Sequence, residues 1–406
     1  MATQTLSGIS GMLKQFYIGP IREQLNNSSV LWFRLQKNEE EISGLDLIAR
    51  IPIFHKRNQG VGFRAESGTL PTAQRRQHTQ TTVGLAYLYG QIQMTGQAIK
   101  GSRNQATRFA AVVDNEIRGM IEGMKIEGNR MLWGDGSGAL AKISAATGAV
   151  GAGVFFTVDS AQQLEAGMLV DTFTAKSGGT QNLASVEIDQ VDRRNNKVSF
   201  VTAVTVSKDD FLFRNGSRGL YGMGIAGGID GADSLGARRV STLQGLARST
   251  NIFWDANVVD NGGVLKALTL ADIQTSFELG EIIGQGRCSL IITSYALRAK
   301  YLSLMVSDRR FVGSLTLDGG WSALEYSGGG EPVPWVVDYM ATPNEIQFID
   351  ERTLAIYRAG DIDWMDTDGA VLRKVPNIDA YEGTAYSYLN LGFSAPNKNS
   401  VLRDRN

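Results

Sequence analysis

The chain has 406 residues, more than the roughly 100 to 200 of a single domain, which predicts two or more packed units. Forty lysines and arginines against 41 aspartates and glutamates leave a formal net charge of −1, so overall basicity gives no support to a polyanion-binding role. A hydrophobic fraction of 43% with 20% charged residues excludes global disorder.

A lone Cys288 makes no intrachain disulfide, and His55 and His78 cannot by themselves build a Cys/His zinc site, so a reducing compartment fits best. The opening MATQTLSGIS lacks a basic region followed by an apolar stretch, and no run of about 18 apolar residues reads as a membrane span.

Taken in chain order, residues 8–25 place Ile9, Leu13, Phe16, Tyr17, Ile21 and Leu25 on a loose helical stripe broken at Pro20. The segment reads either as an N-terminal arm lying on something else or as an ordinary first helix. From Leu47 the apolar spacing changes to two: Leu47, Ala49, Ile51 and Ile53 share one face, and Leu85, Tyr87 and Tyr89 do the same on a return arm. Residues 55–82 between them hold few large apolar side chains and must project. They carry Lys56, Arg57, Arg64, Arg75 and Arg76 against Glu66, a net charge of +4 that leaves −5 on the remainder.

An isolated two-stranded ribbon is marginal in water, so this one needs a partner surface. Another copy of the same chain is the preferred partner. A mobile active-site lid, a nucleic-acid-binding ribbon and a loop folded back on its own body are the alternatives.

The strongest helix is predicted over residues 104–132, where Phe109, Val113, Ile117, Met120, Ile121, Met124 and Met131 recur mostly in steps of three and four over about 43 Å. Gly119, Gly123 and Gly128 lie inside it, and each costs about 1 kcal/mol relative to alanine. They predict a helix notched for close packing across a sheet. The run stops at Gly134-Asp135-Gly136-Ser137-Gly138. Residues 150–216 read as short strands separated by turns such as 193–196, a small all-β module inserted into a larger domain.

Thr269 with Asp272 caps a further helix, Cys288 to Ile292 reads as a buried strand, and Ser294 can cap a second helix through Leu304. Strands follow at Val333 to Val337, Glu345 to Phe348, Thr353 to Tyr357 and Val371 to Val375. The fold class expected is α+β.

The search for chemistry finds no catalytic residue, cofactor site or metal site. Gly222 to Gly227 matches G-x-G-x-x-G, but the following GIDGADSLG is no helix, so a glycine-rich connection is expected rather than a phosphate cradle. Asp361, Asp363, Asp366 and Asp368 before Gly369 miss the calcium-loop register and read as a solvated hairpin. The GDGSG turn lacks the first glycine of a serine elbow. His55 and His78 sit on the projecting loop as surface residues, and Cys288 reads as a small core side chain.

The order of these parts carries a resemblance: arm, long ribbon, glycine-notched helix ending in MLWGDGSG, β insert, return through GSRGLYGMGIAGGID, then ARSTNIFWDANVVD, SYALRAKYLSLMVSDRRF and DIDWMDTDGAVLRKVPNIDAYEG. The chain resembles the major capsid proteins of tailed bacteriophages, with the Hong Kong 97-type fold. The resemblance implies an N-terminal arm over 1–44, an extended loop over 45–100 and a peripheral domain over 101–149 with its spine helix. It further implies a β insertion over 150–216, more peripheral domain over 217–262, an axial domain over 263–375 and a peripheral C-terminal strand and tail over 376–406.

It also implies a structural, non-enzymatic subunit of hexamers and pentamers in an icosahedral shell around double-stranded DNA, assembled in the host bacterial cytoplasm and ending in the virion. The partners it implies are other copies, a separate scaffolding protein, a portal and a possible decoration protein, with DNA as a non-specific neighbour and no membrane. Lys56, Arg57, Arg64, Glu66, Arg75 and Arg76 would make the intersubunit contact, and no cofactor is implied. An encapsulin-type nanocompartment shell and a nucleotide-binding enzyme using Gly222 to Gly227 are the rival readings.

Overall fold

The computed structural model describes residues 30–38, 42–43, 46–97, 106–307, 314–316, 322–328, 331–366 and 373–406. The expected arm at 8–25, the side chains of Phe109 and Val113, and the Asp368-Gly369 turn lie outside what is described.

Alternating side chains build a ribbon from β1 (Ile48–Lys56) and β2 (Gln77–Gly84), paired antiparallel from Ile48 opposite Gly84 to Phe54 opposite His78. Its base is not coreless: Ala49, Ile51 and Val83 join Leu85 and Tyr357 in a small buried cluster, and Ile53 enters the main core. Only residues 57–76 project.

The expected return arm needs correction. Leu85 is a one-residue joint, and Tyr87 and Tyr89 belong to a separate strand, β3 (Ala86–Thr95), which leaves the ribbon and enters the body. There it pairs over its whole length with β4 (Ala380–Phe393), from Ala86 opposite Leu389 to Thr95 opposite Ala380. On its other side β4 pairs with Leu354–Arg358, Asp363–Trp364 and Arg373–Lys374.

The spine helix α1 (Ala106–Trp133) crosses this sheet for about 42 Å. Ile117, Ile121, Met124 and Met131 are buried in the main core with Trp364, Leu389 and Phe393. The inserted module begins earlier than residue 150: Ala139–Lys142 pairs with Phe211–Arg214 and forms the edge of a six-stranded sheet with its own core of Phe156, Val170, Ile188, Val198, Phe200 and Leu212. The pairing joins residues some 70 apart, so no local pattern announces it.

A seven-stranded mixed sheet runs in the order Asn257–Val259, Ser400–Leu402, Ile346–Ile349, Leu290–Thr293, Val333–Val337, Ser322–Tyr326, Ser314–Thr316. Its central strand is buried on both faces, with Ile291 in one core and Leu290 and Ile292 in another, which explains its unbroken apolar run. Helices α2 (Leu270–Gly284) and α3 (Tyr295–Ser307) contribute Ile273, Phe277, Leu297 and Tyr301 to the first of these cores.

Thr269 caps α2 by accepting from Asp272 N at 3.1 Å, whereas the Ser294 hydroxyl is buried without a partner and caps nothing. The last strand corrects the expected domain limits as well. Ser400–Leu402 lies inside the seven-stranded sheet, while Leu354–Arg358 sits beside β4.

Charge closes the C-terminal segment onto the body. Asp230, wholly buried, accepts from Arg248 Nη1 at 3.2 Å, Arg403 Nη2 at 2.9 Å and Val240 N at 3.1 Å. Arg248, also wholly buried, donates further to the carbonyls of Gly227 and Gly228.

Candidate intersubunit surfaces

The projecting loop is stripped of internal support. Among the described residues, the backbone–backbone hydrogen bond within 57–76 is that of Gly68 N to Ala65 O, 2.9 Å. Val61, Phe63 and Leu70 are 83%, 104% and 80% exposed, so three large apolar side chains stand in water at the tip. Exposed apolar clusters of this kind mark association surfaces.

The cations behave likewise. Lys56, Arg57, Arg64, Arg75 and Arg76 have no carboxylate partner among the described residues, and Glu66 is exposed without a cation. Arg64 turns back on Thr69 O at 2.9 Å, and Arg76 lies 3.9 Å over the Phe54 ring. The base is clamped: His55 stacks on Phe253 at 4.8 Å, and Thr82 N donates to Gln244 O at 3.2 Å. His78 is exposed and tilted against Phe54.

The glycines of the spine helix divide. Gly128 is buried, but Gly119 and Gly123 are exposed, and a Cβ on either meets no atom within 4 Å. The close approach of helix to sheet that was expected from these two is supplied instead by Gly90 on β3, where a Cβ would lie 2.7 Å from Met124 Sδ and 2.8 Å from Met120 Cγ. One glycine in a strand marks such an approach, and the sequence reading passed over it.

Beside this contact, helix and strand part into a groove of about 830 Å³. Tyr87, Tyr89, Met120, Gly123, Met124 and Leu220 are among the residues that line it. Glu127 also lines it, bonded by Arg130, Arg214 and the Tyr221 hydroxyl. Burial alone would raise the Glu127 carboxyl, but the two guanidiniums and the hydroxyl outweigh it and hold it below the usual carboxylate range.

The remaining motifs carry structural duties. Gly224 packs against the end of α1, where a Cβ would lie 2.3 Å from Met131 O, so Gly222 to Gly227 is a close-packing segment rather than a phosphate cradle. Asp361 pairs with Arg358. Burial pushes the Cys288 thiol up to about 12, which removes it as a nucleophile. Among the described residues no group of acidic, histidine or cysteine side chains could hold a metal, and no helix is long and apolar enough to cross a membrane.

This architecture has counterparts among solved structures. The chain aligns over its full length with 94% of a chain in the capsid asymmetric unit of cyanophage A-1(L), at 14% identity and a TM-score of 0.51. The chain has the Hong Kong 97-type capsid fold. Two further similarities are to the SrpI encapsulin of Synechococcus elongatus PCC 7942 (TM-score 0.49, 9% identity, 100% of this chain and 92% of that one) and to the capsid of an empty GTA particle (0.48, 9%, 94% and 91%). No family model matches the chain, and no curated protein matches it in sequence.

The β module of residues 139–214 has a core of its own.

Proposed function

We propose that this chain is the structural subunit of a closed icosahedral shell, a major capsid protein whose copies gather into hexamers and pentamers around double-stranded DNA. The observation that carries the reading is the tip of the ribbon: Val61, Phe63 and Leu70 exposed beside five cations without carboxylate partners, on a body with a capsid fold. Such a tip is costly in a solitary molecule and becomes favourable when a neighbouring copy covers it.

Function on this reading is mechanical. Each subunit buries part of its neighbour, and many modest contacts repeated by symmetry sum to a stable container. No residue is assigned a reaction. A separate scaffolding protein, a portal and a decoration protein are partners to be sought in the same particles.

Electron microscopy of the purified protein across assembly conditions tests the reading. Closed shells of uniform size holding nuclease-protected DNA are expected from infected cells. Small discrete oligomers under every condition would overturn it, and protein cargo in place of DNA would reassign the contents.

A further inference from the structure

The geometry points to the cleft between the β module and the body as a binding site for a phosphate group. The cleft is built within one subunit and does not depend on the shell.

Four stretches of chain form this cleft, which has a volume of about 490 Å³. Residues 135–137 lead into the module, and 176–178 are the tip of the hairpin between its strands Leu169–Phe173 and Gln181–Asp192. Residues 218–219 lead out of the module, and 239–242 belong to the body. A space of this size suits a small ligand. The GDGSG turn, which is no serine elbow, supplies one of its walls.

Those walls carry more positive charge than the subunit neutralises. Lys176, Arg218 and Arg239 line the cleft, with Asp135 as the carboxylate among them. Asp135 is bound by Lys176 Nζ at 2.5 Å and by Ser137 N at 3.1 Å. Burial opposes its ionisation, but Lys176 and Ser137 outweigh burial and hold the carboxyl below the usual carboxylate range. Arg239 is matched by Glu345, whose Oε2 accepts from Nη1 at 3.1 Å.

Arg218 is the cation left over, having no carboxylate partner among the described residues. Its Nε donates to Lys176 O at 3.4 Å and its Nη2 to the carbonyls of Ala175 and Gly178. The guanidinium carbon lies 3.9 Å over the Phe173 ring. Neutral carbonyls and a ring thus fix the plane of a full positive charge and leave Nη1 without a protein partner. A guanidinium already held in place loses little further freedom on taking an anion.

The remaining donors select the anion. The hydroxyls of Ser177, Ser241 and Thr242 line the cleft, exposed and without a hydrogen-bond partner among the described residues. Lys176 keeps further N–H donors beyond the one given to Asp135. A carboxylate presents its oxygens in one plane, whereas a phosphate presents them tetrahedrally, which suits donors arriving from separate stretches of chain. A phosphate seated among them touches the hairpin tip and residues 239–242 at once, so its binding ties the module to the body. A free ion and a nucleic-acid backbone offer the same oxygens, and the arms of the test separate them.

Calorimetric titration of the full chain with inorganic phosphate, with pyrophosphate and with a short DNA duplex tests the site. One equivalent per chain is expected to bind with a dissociation constant below about 1 mM. Arg218→Gln is expected to weaken binding by about tenfold or more. Ser241→Glu, which brings a carboxylate into the cleft from an exposed position, is expected to weaken it as much with the melting temperature unchanged. Pyrophosphate binding without duplex binding identifies a free ion as the ligand, and duplex binding that both substitutions weaken identifies the nucleic-acid backbone. No binding of any of the three at millimolar concentration, or binding that Ser241→Glu leaves unchanged, would overturn the site. Because Ser241 is exposed, that result stands even where Arg218→Gln fails to fold.

Discussion

Gly90 of β3 faces Met124 of the spine helix so closely that a Cβ on the glycine would fall 2.7 Å from the methionine sulfur. Helix and sheet are therefore spaced by the absence of one side chain. Gly90→Ala forces the two methionines aside and is expected to destabilise the subunit by about 1 to 3 kcal/mol. Gly119→Ala has open space and a better helix former, and is expected to stabilise it by up to about 1 kcal/mol. Urea titration of dissociated subunits checks both. Equal effects of the two substitutions would contradict the spacing role of Gly90.

Asp338 couples the spine helix to the seven-stranded sheet. Its carboxylate is buried with no cation bonded to it and accepts from Met340 N at 2.8 Å and Asn129 Nδ2 at 3.2 Å, while Asn129 Oδ1 has no partner. Burial pushes the Asp338 pKa up, and the hydrogen bonds only partly offset this. With the folded value above the unfolded one, the folded state holds the proton longer. This group's contribution is most favourable at low pH and declines as pH rises from about 4 through the raised folded value. Asp338→Asn keeps the acceptor for Met340 and can donate to Asn129 Oδ1 after its amide turns. The expected result is a gain of about 1 to 2 kcal/mol at pH 7 and a flatter profile below it. Thermal melts at several pH values decide; a lower melting temperature at pH 7 would count against it.

Asp230 is the centre of a cluster whose members are distant in the chain, Arg248 by 18 residues and Arg403 by 173. Asp230→Ala removes the nearest carboxylate from two buried guanidiniums, leaving Arg248 with Asp255 at 3.9 Å and Arg403 with Glu345 at 3.8 Å, and is expected to cost about 3 kcal/mol. The folded yield of soluble subunit and its urea midpoint are the readouts. Because Arg403 follows the strand Ser400–Leu402, loss should also expose the C-terminal segment to proteolysis before the rest of the chain.

These cases show where the sequence was legible and where it was not. Local periodicity placed β1, the spine helix and the strands Phe211–Arg214 and Val333–Val337, because each buries a regular stripe or an unbroken apolar run. The ribbon's return arm was misplaced for a related reason: Leu85, Tyr87 and Tyr89 alternate as well as the true arm does, and the joint at Leu85 is too short to mark itself. Partners chosen across the chain left no local trace, as with Ala139–Lys142 against Phe211–Arg214 or Asp230 against Arg403. On the candidate surface, the loop's charge and lack of apolar core were readable, and the groove was not. Its walls come from four separated segments, and its key glycine is a single residue inside a strand.

The loop cations give the last prediction, which separates association from folding. Arg75 is exposed with no ion-pair partner among the described residues, whereas Arg76 also covers the Phe54 ring, so Arg75→Glu alone changes charge and little else. Reversing an exposed charge at an association surface acts mainly on encounter and register. Arg75→Glu is expected to slow assembly at least tenfold at low ionic strength with an unchanged subunit melting temperature, and Arg75→Glu with Arg76→Glu to slow it further. Since the interaction is screened within about 10 Å at 0.1 M salt, the gap from the unaltered chain should narrow as salt is raised. Light-scattering assembly curves at several salt concentrations, read beside subunit melts, provide the check. Assembly of the double variant at the normal rate in low salt would show that the loop's charge plays no part in the contact.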